Sequence, residues 1–339
     1  MGSMLDKPIT EKETEKGEAN SVVYGVSGMQ GWRVEMEDSH TLVGSIPALP
    51  TMGFFGCYDG HGGSYTSAYA GDHLMNIFSE RPEFKQYLAL TQAARDSSEG
   101  IDLIKAALNN AFLQIDEKML AESEEDRDPR DRSGCTCIVV VVTEKHLICS
   151  NAGDSRACYS RDGHAVPLSF DHKPNDAEEH SRIDRAGGYV SMRRVDGDLA
   201  VSRALGDFQY KDRADLPAEE QKVTAKPDLI VYPRDPEKDE FMVVACDGIW
   251  DVVSNDECVN MVQKILDEGE TDMGLVCEEV LDSCLELNSR DNMTALIVAF
   301  PSAKFGKGGG VAARRDARKA LLEEQMKAES GAAEGENSA

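Results

Sequence analysis

The chain has 339 residues, 41% apolar and 29% charged, which is enough for one large domain or two ordinary ones with a sizeable core. Its 62 acidic residues against 36 basic ones give a net charge of −26, so it is a poor candidate for gripping nucleic acid by its phosphates or for settling on anionic membranes. Nine scattered cysteines without a C-x-x-C pair predict reduced, buried thiols in a cytosolic or nuclear protein, not a disulfide or zinc framework.

In chain order, residues 1–20 are polar and of mixed charge and predict a flexible N-terminal arm. There is no apolar core of a secretory signal. Gly2 follows Met1 as in an N-myristoylation site, but Asp6 stands where that pattern wants Ser or Thr, which argues against acylation. No run approaches the roughly 18 apolar residues of a membrane span. Ser21–Gly28, Thr41–Ile46 and Met52–Tyr58 read as strands, the last as a buried run. Gly60–Gly63 breaks the pattern before a helix that runs through Phe78. Ile101, Ile104, Leu108, Phe112, Ile115 and Met119 recur at steps of three and four and predict one apolar helical stripe.

After the acidic loop Glu122–Asp131, Cys135–Val142 is a dense β-branched strand, and Lys145–Asn151 and Ala157–Ser160 follow it as strands. Asp176–Ala186 reads as a helix ending at Gly187-Gly188. Asp207–Lys226 is long, charged and irregular and predicts an exposed flap. Phe241–Cys246 is a buried strand, Asn255–Asp267 and Met273–Leu287 are helices, and Met293–Phe300 is the closing strand. Without a recurring βαβ beat, this order favours a large α+β sandwich over a doubly wound parallel sheet. The organisation expected is an arm over 1–20, a catalytic domain over 21–301, and a linker, polar helix and tail over 302–339.

One pattern occurs twice. Phe54–Tyr58 runs into Asp59-Gly60, and Val243–Cys246 runs into Asp247-Gly248. A carboxylate at the mouth of a core strand is costly unless a cation meets it. A hard cation takes oxygen ligands from carboxylates, carbonyls and water, which this pairing can offer. A single Asp-Gly would read better as a turn; two copies on buried strands bring the readings level. Asp154, Asp291 and the pair Glu37-Asp38 lie at comparable strand junctions. Brought together, these acids would repel without divalent cations, and paired cations about 3.5–4 Å apart hydrolyse esters by activating a shared water. Arg33, four residues before Glu37, could clamp a phosphate, and His61 could protonate a leaving oxygen. Each alone reads equally well as a paired surface residue or a turn histidine.

Seven blocks, GMQGWRVEMEDSH (28–40), FFGCYDGHGG (54–63), SGCTC (133–137), NAGDSR (151–156), LAVSRALGDF (199–208), VVACDGIWDV (243–252) and SRDNMTALIV (289–298), resemble the protein phosphatase 2C family in its own order, across roughly residues 20–300. The resemblance implies a four-layer α+β sandwich of two antiparallel sheets flanked by helices, with a dimetal site at one end. It implies a metal-dependent serine/threonine protein phosphatase using two Mg²⁺ or Mn²⁺ ions, with a weaker third in some members. By motif position, Asp59 would bridge both metals, Gly60 would offer its carbonyl, and Asp247 and Asp291 would complete the other metal's protein ligands. Glu37 and Asp38 would hold metal-bound waters, Asp154 would join Asp247 at the third site, Arg33 would bind the substrate phosphate and His61 would be the acid. Thr136 and Asn292 would be supporting residues, and 207–226 the flap beside the cleft. Asp38 has the opposite strand parity to Glu37, so its reach requires an irregular backbone. The expected partners are phosphoserine and phosphothreonine proteins, with no nucleic acid and no membrane span, met by a monomer. The missing H-C-x5-R motif argues against a cysteine phosphatase. A silent scaffold and an acidic Ca²⁺ binder are the competing readings, and Asp267–Glu279 lacks EF-hand ligand spacing.

Overall fold

Period-two alternation gives each apolar strand two different buried faces, and the layers follow from it. The computed structural model describes residues 4–125, 132–321 and 323. In Gly53–Tyr58, Phe54 packs with the helices Tyr65–Glu80 and Ser98–Glu125, while Phe55 and Cys57 face the other sheet. Val139 and Val141 share the first face, Ile138 and Val140 the second. In Asp239–Ala245, Val243 and Ala245 pack against Asn255–Asp267 and Met273–Glu286, and Met242 and Val244 point between the sheets. The result is helix, sheet, sheet, helix. Each fully buried Val, Ile, Leu or Phe contributes about 1.5–3 kcal/mol, so no surface turn competes with this pattern.

With two smaller ribbons beside them, both main sheets are antiparallel. One runs Met4–Ala19, Val22–Arg33, Met293–Ala299, Asp239–Ala245, Arg156–Arg161, His164–Pro167. The other runs Asp228–Pro233, His146–Ala152, Cys137–Val142, Gly53–Tyr58, Ser39–Val43. All nine cysteines are free and buried. Among the described residues no helix is long and apolar enough to cross a membrane. Gly2 lies outside the described residues.

One expectation is corrected. Residues 4–19 are not a flexible arm: Met4–Ala19 is an edge strand paired with Val22–Arg33. Its charges hold it down, since Lys12 meets Asp282 at 2.6 Å, Lys16 meets Asp272 at 2.5 Å and Thr14 donates to Glu278 at 2.9 Å. The three acids flank or lie on the helix Met273–Glu286, so a polar strand found a polar partner. The C-terminal polar helix, described over 310–321, docks on the domain. Val311 is buried in the core beneath it. Glu279, with 0% of its side chain exposed, accepts from Arg315 Nε at 2.8 Å, Arg318 Nη2 at 3.0 Å and Arg314 Nε at 3.1 Å. Residues 324–339, including the expected tail, lie outside the described residues.

Candidate metal centre and active-site cleft

Strand ends deliver the acids to one end of the sandwich. Gly53–Tyr58 hands over to Asp59, Asp239–Ala245 to Asp247 and His146–Ala152 to Asp154, while Asp291 precedes Met293–Ala299 and Arg33 ends its own strand. Arg33, Glu37, Asp59, Gly60, His61, Asp154, Asp247 and Asp291 line a single cleft of about 490 Å³. The glycines of the two Asp-Gly pairs are there for close approach, not for a turn. A β-carbon on Gly60 would lie 2.2 Å from the Glu37 carbonyl oxygen, and one on Gly248 would lie 2.0 Å from that of Asn292. Neither residue has positive φ. Each pair therefore locks its aspartate against the strand junction that bears the next acid.

Burial and the neighbouring carboxylates Asp247, Asp38, Asp154 and Asp291 push the Asp59 carboxyl well above the ordinary aspartate range. Burial, then Asp154 and Asp291, do the same to Asp247. The Asp247 amide donates to Asp59 Oδ2 at 3.4 Å, and among the described residues neither aspartate has an arginine or lysine partner. The other two acids are partly answered: Arg33 Nη2 meets Asp291 Oδ2 at 2.5 Å, and Lys173 pairs with Asp154. Arg33 lines the cleft, with its Nε buried behind it and without an acceptor.

Asp38 stands apart. It does not line the cleft; Thr294 Oγ1 donates to its Oδ2 at 2.8 Å, while Oδ1 is buried without a partner. Burial raises its carboxyl to about 7. The irregular stretch 34–38 supplies the turn its parity required. Ligand atoms of Asp38, Asp59 and Cys246 lie within 4.8 Å of one another. Cys246 is a poor member of that group. Burial holds its thiol well above the ordinary range, and its sulfur already accepts from the Thr294 amide at 3.1 Å. What remains is an oxygen-rich set of carboxylates that resist ionisation in the protein alone, with an orphaned buried oxygen behind them. Those donors fit hard divalent cations.

Sequence reasoning missed the partner of His61. Its Nε2 lies 2.7 Å from Oδ2 of Asp207, which is 1% exposed and left-handed at φ 52°. Burial disfavours the imidazolium, but the charge and hydrogen bond of Asp207 outweigh it and the histidine pKa is raised. Asp207 sits in the block LAVSRALGDF, yet nothing in its spacing pointed 146 residues back to His61. Asn292 does the supporting work. Its Oδ1 accepts from the Glu37 amide at 2.9 Å, and its Nδ2 donates to the carbonyls of Gln30 at 2.8 Å and Glu35 at 3.0 Å. The Thr136 amide donates to the Asp59 carbonyl at 2.9 Å.

The flap at the cleft also differs from the span 207–226. The residues over the cleft are Arg194, Leu199, Ala200 and Val201. Beyond Asp207 the segment turns away to the helix Ser98–Glu125, where Lys211 pairs with Asp116 at 2.8 Å. A charged irregular stretch marks a surface segment, but composition does not say which cavity it borders.

Comparison with known proteins gives a consistent answer. The family model for protein phosphatase 2C matches residues 22–293. Protein phosphatase 1A of Bos taurus is 42% identical over 304 residues, covering 89% of this chain and 77% of its own. A probable protein phosphatase 2C of Caenorhabditis elegans is 45% identical over 306 residues, covering 88% of this chain and 80% of its own. The crystal structure of a phosphatase from Toxoplasma gondii superposes with a TM-score of 0.71 at 26% identity, over 88% of this chain and 98% of that one.

Proposed function

Because the chain belongs to the protein phosphatase 2C family and is a metal-dependent serine/threonine protein phosphatase, we propose that the acidic cleft is its catalytic centre and that Asp59, the Gly60 carbonyl, Asp247 and Asp291 hold two Mg²⁺ or Mn²⁺ ions there. Divalent cations so held would supply Lewis acidity toward phosphoryl oxygens and draw the pKa of a water nucleophile toward neutrality. Glu37 faces the same space and would orient water. Asp38 supports the set from behind, its buried Oδ1 available to a water of that cluster. Asp154 would add a weaker third position next to Asp247 once Lys173 lets go of it.

Arg33 binds the phosphate in this reading. Asp291 fixes the guanidinium through Nη2 at the edge of the cleft, where the group would meet a phosphoryl oxygen. His61 gives its proton to the leaving serine or threonine oxygen, held in place by Asp207. The catalytic domain runs from the edge strand Met4–Ala19 to Pro301, with the helix 310–321 packed on it. We further place the protein in a reducing compartment, cytosol or nucleus, as a monomer acting on phosphoserine and phosphothreonine proteins. The nine free, buried cysteines support that compartment.

The observation that carries this reading is the pair Asp59 and Asp247, half-buried side by side in the cleft, neither with a cationic partner among the described residues. A phosphothreonine peptide hydrolysed across a Mn²⁺ and Mg²⁺ titration, with EDTA as the zero point, tests it. Activity should rise from nothing with either cation. Undiminished turnover in excess EDTA would sink the assignment.

A further inference from the structure

One lysine stands where the acidic cleft is short of counter-charge. Lys173 pairs its ammonium with Asp154 Oδ2, and Asp154 lines the cleft together with Asp59, Asp247 and Asp291. Among the described residues this is the ion pair that Lys173 makes. Asp171, two residues before it, is already held by Arg156 through hydrogen bonds of 2.8 Å and 2.9 Å. The charges of Asp171 and Asp247 also act on the ammonium, and the ammonium acts in turn on Asp251. A tethered monovalent cation thus sits among the acids at the position proposed above for a third ion.

The loop that carries Lys173 is pinned to the strand junction that carries Asp154. The His172 amide donates to the Gly153 carbonyl at 3.0 Å, Asn151 Nδ2 donates to the Phe170 carbonyl at 3.1 Å, and the Lys173 amide donates to Asp176 Oδ2 at 2.9 Å. This backbone delivers the ammonium to Asp154 without trapping it there. The Lys173 side chain is 38% exposed, whereas that of Lys211, in the enclosed pair with Asp116, is 7% exposed. A flexible four-carbon stem lets the ammonium swing out into water. Asp154 is buried and cannot follow, so it would be left beside Asp247 without counter-charge, which is costly. Release of the ammonium is therefore favourable only when another cation takes its place.

We propose that Lys173 is a built-in competitor for the third divalent cation: its ammonium holds Asp154 until a Mg²⁺ or Mn²⁺ ion displaces it, and so sets the concentration at which that position fills. Such competition presupposes the metal centre proposed above. Lys173 is a positioning residue here and touches no reacting atom. A site whose open form is the minor population binds more weakly by that fraction. Closure by one charge-assisted hydrogen bond corresponds to about a tenfold loss of affinity or more.

The probe is Mn²⁺ alone, titrated into the full chain after EDTA treatment and dialysis, without substrate, and followed by calorimetry and by the EPR signal of free Mn²⁺. The expected isotherm has two tight steps and one weak step. Lys173→Met keeps the stem and removes the charge; it should tighten the weak step by about tenfold and leave the tight steps in place. Lys173→Arg keeps the charge and should bind the weak ion no tighter than the wild-type chain. Asp154→Asn should abolish the weak step. A weak step that Lys173→Met does not tighten, or that Lys173→Arg tightens as much, would overturn the proposal and leave the two-ion centre standing. Loss of the tight steps from the wild-type isotherm would instead remove the metal centre, and the competitor with it. Should Lys173→Met fail to fold, the wild-type chain still decides: the NMR signal of the Lys173 ammonium should lose its ion-paired shift as Mg²⁺ fills the weak step, and a signal unmoved through that step would refute displacement.

Discussion

Two acidic places in this molecule are built on opposite principles. On the helix Met273–Glu286, the fully buried carboxylate of Glu279 is met by three guanidinium groups, those of Arg314, Arg315 and Arg318. At the cleft, Asp59 and Asp247 stand half-buried side by side with other acids as their main electrostatic neighbours. The first arrangement is complete within the chain and fastens a C-terminal helix. The second, in the proposed reading, is completed by cations from outside. Burial of an acid therefore says little by itself; what separates fastening from function is whether the chain supplies the counter-charge.

That contrast can be broken in order of expected effect. Asp247→Asn should lower kcat by more than the roughly 10–100-fold that loss of a group behind a metal ligand costs. The same change should leave the metal-free melting temperature unchanged or raised, because one repelling charge is gone. Steady-state kinetics and a thermal scan in EDTA read both, and a near-normal rate would show the ligand misplaced. Glu279→Ala should do the reverse. It removes the shared buried acceptor of three arginines that are 20–41% exposed and leaves them only their outer partners Glu268, Glu278 and Asp282, and should cost on the order of 2–3 kcal/mol of stability while kcat below the melting temperature holds. Denaturant unfolding measures it; an unchanged midpoint would mean that the three ion pairs contribute nothing net. Arg33→Ala should raise KM by about tenfold, the value of a charged hydrogen bond, with a smaller change in kcat. A kcat loss at constant KM would contradict the phosphate role.

The smallest effect is a pH dependence. In the metal-free protein Asp38 titrates at about 7, above its unfolded value. The folded state then binds more protons than the unfolded one between those values. Stability from this group is full below the unfolded aspartate pKa of about 4 and is lost as pH rises toward 7. Saturating Mn²⁺ should oppose that loss, so the gap between metal-loaded and metal-free melting temperatures should widen from pH 5 to 7. A gap independent of pH would mean that cations do not displace these protons.

Much of the fold was legible because it depends on local alternation. The strand cores and the helix Asn255–Asp267 follow from apolar spacing alone. The acids at strand ends were legible for the same reason, since a polar residue after a buried run must face something. What was not legible depends on distant partners. The strand Met4–Ala19 has no apolar face of its own and is specified by acids more than 250 residues away. The helix 310–321 is specified by Glu279, and His61 by Asp207. Asp38 reads as a cleft residue by motif, but the irregular backbone turns it behind the cleft.

The N-terminal edge strand bears on how this enzyme should be handled. Trimmed at residue 21, as composition would invite, the chain would bare the long backbone rim of Val22–Arg33, with Val22 and Val26 beside it. Unpaired rims of that length recruit other chains. The polar residues 4–19 are thus a solubility guard for the strand that carries Arg33, the proposed phosphate ligand.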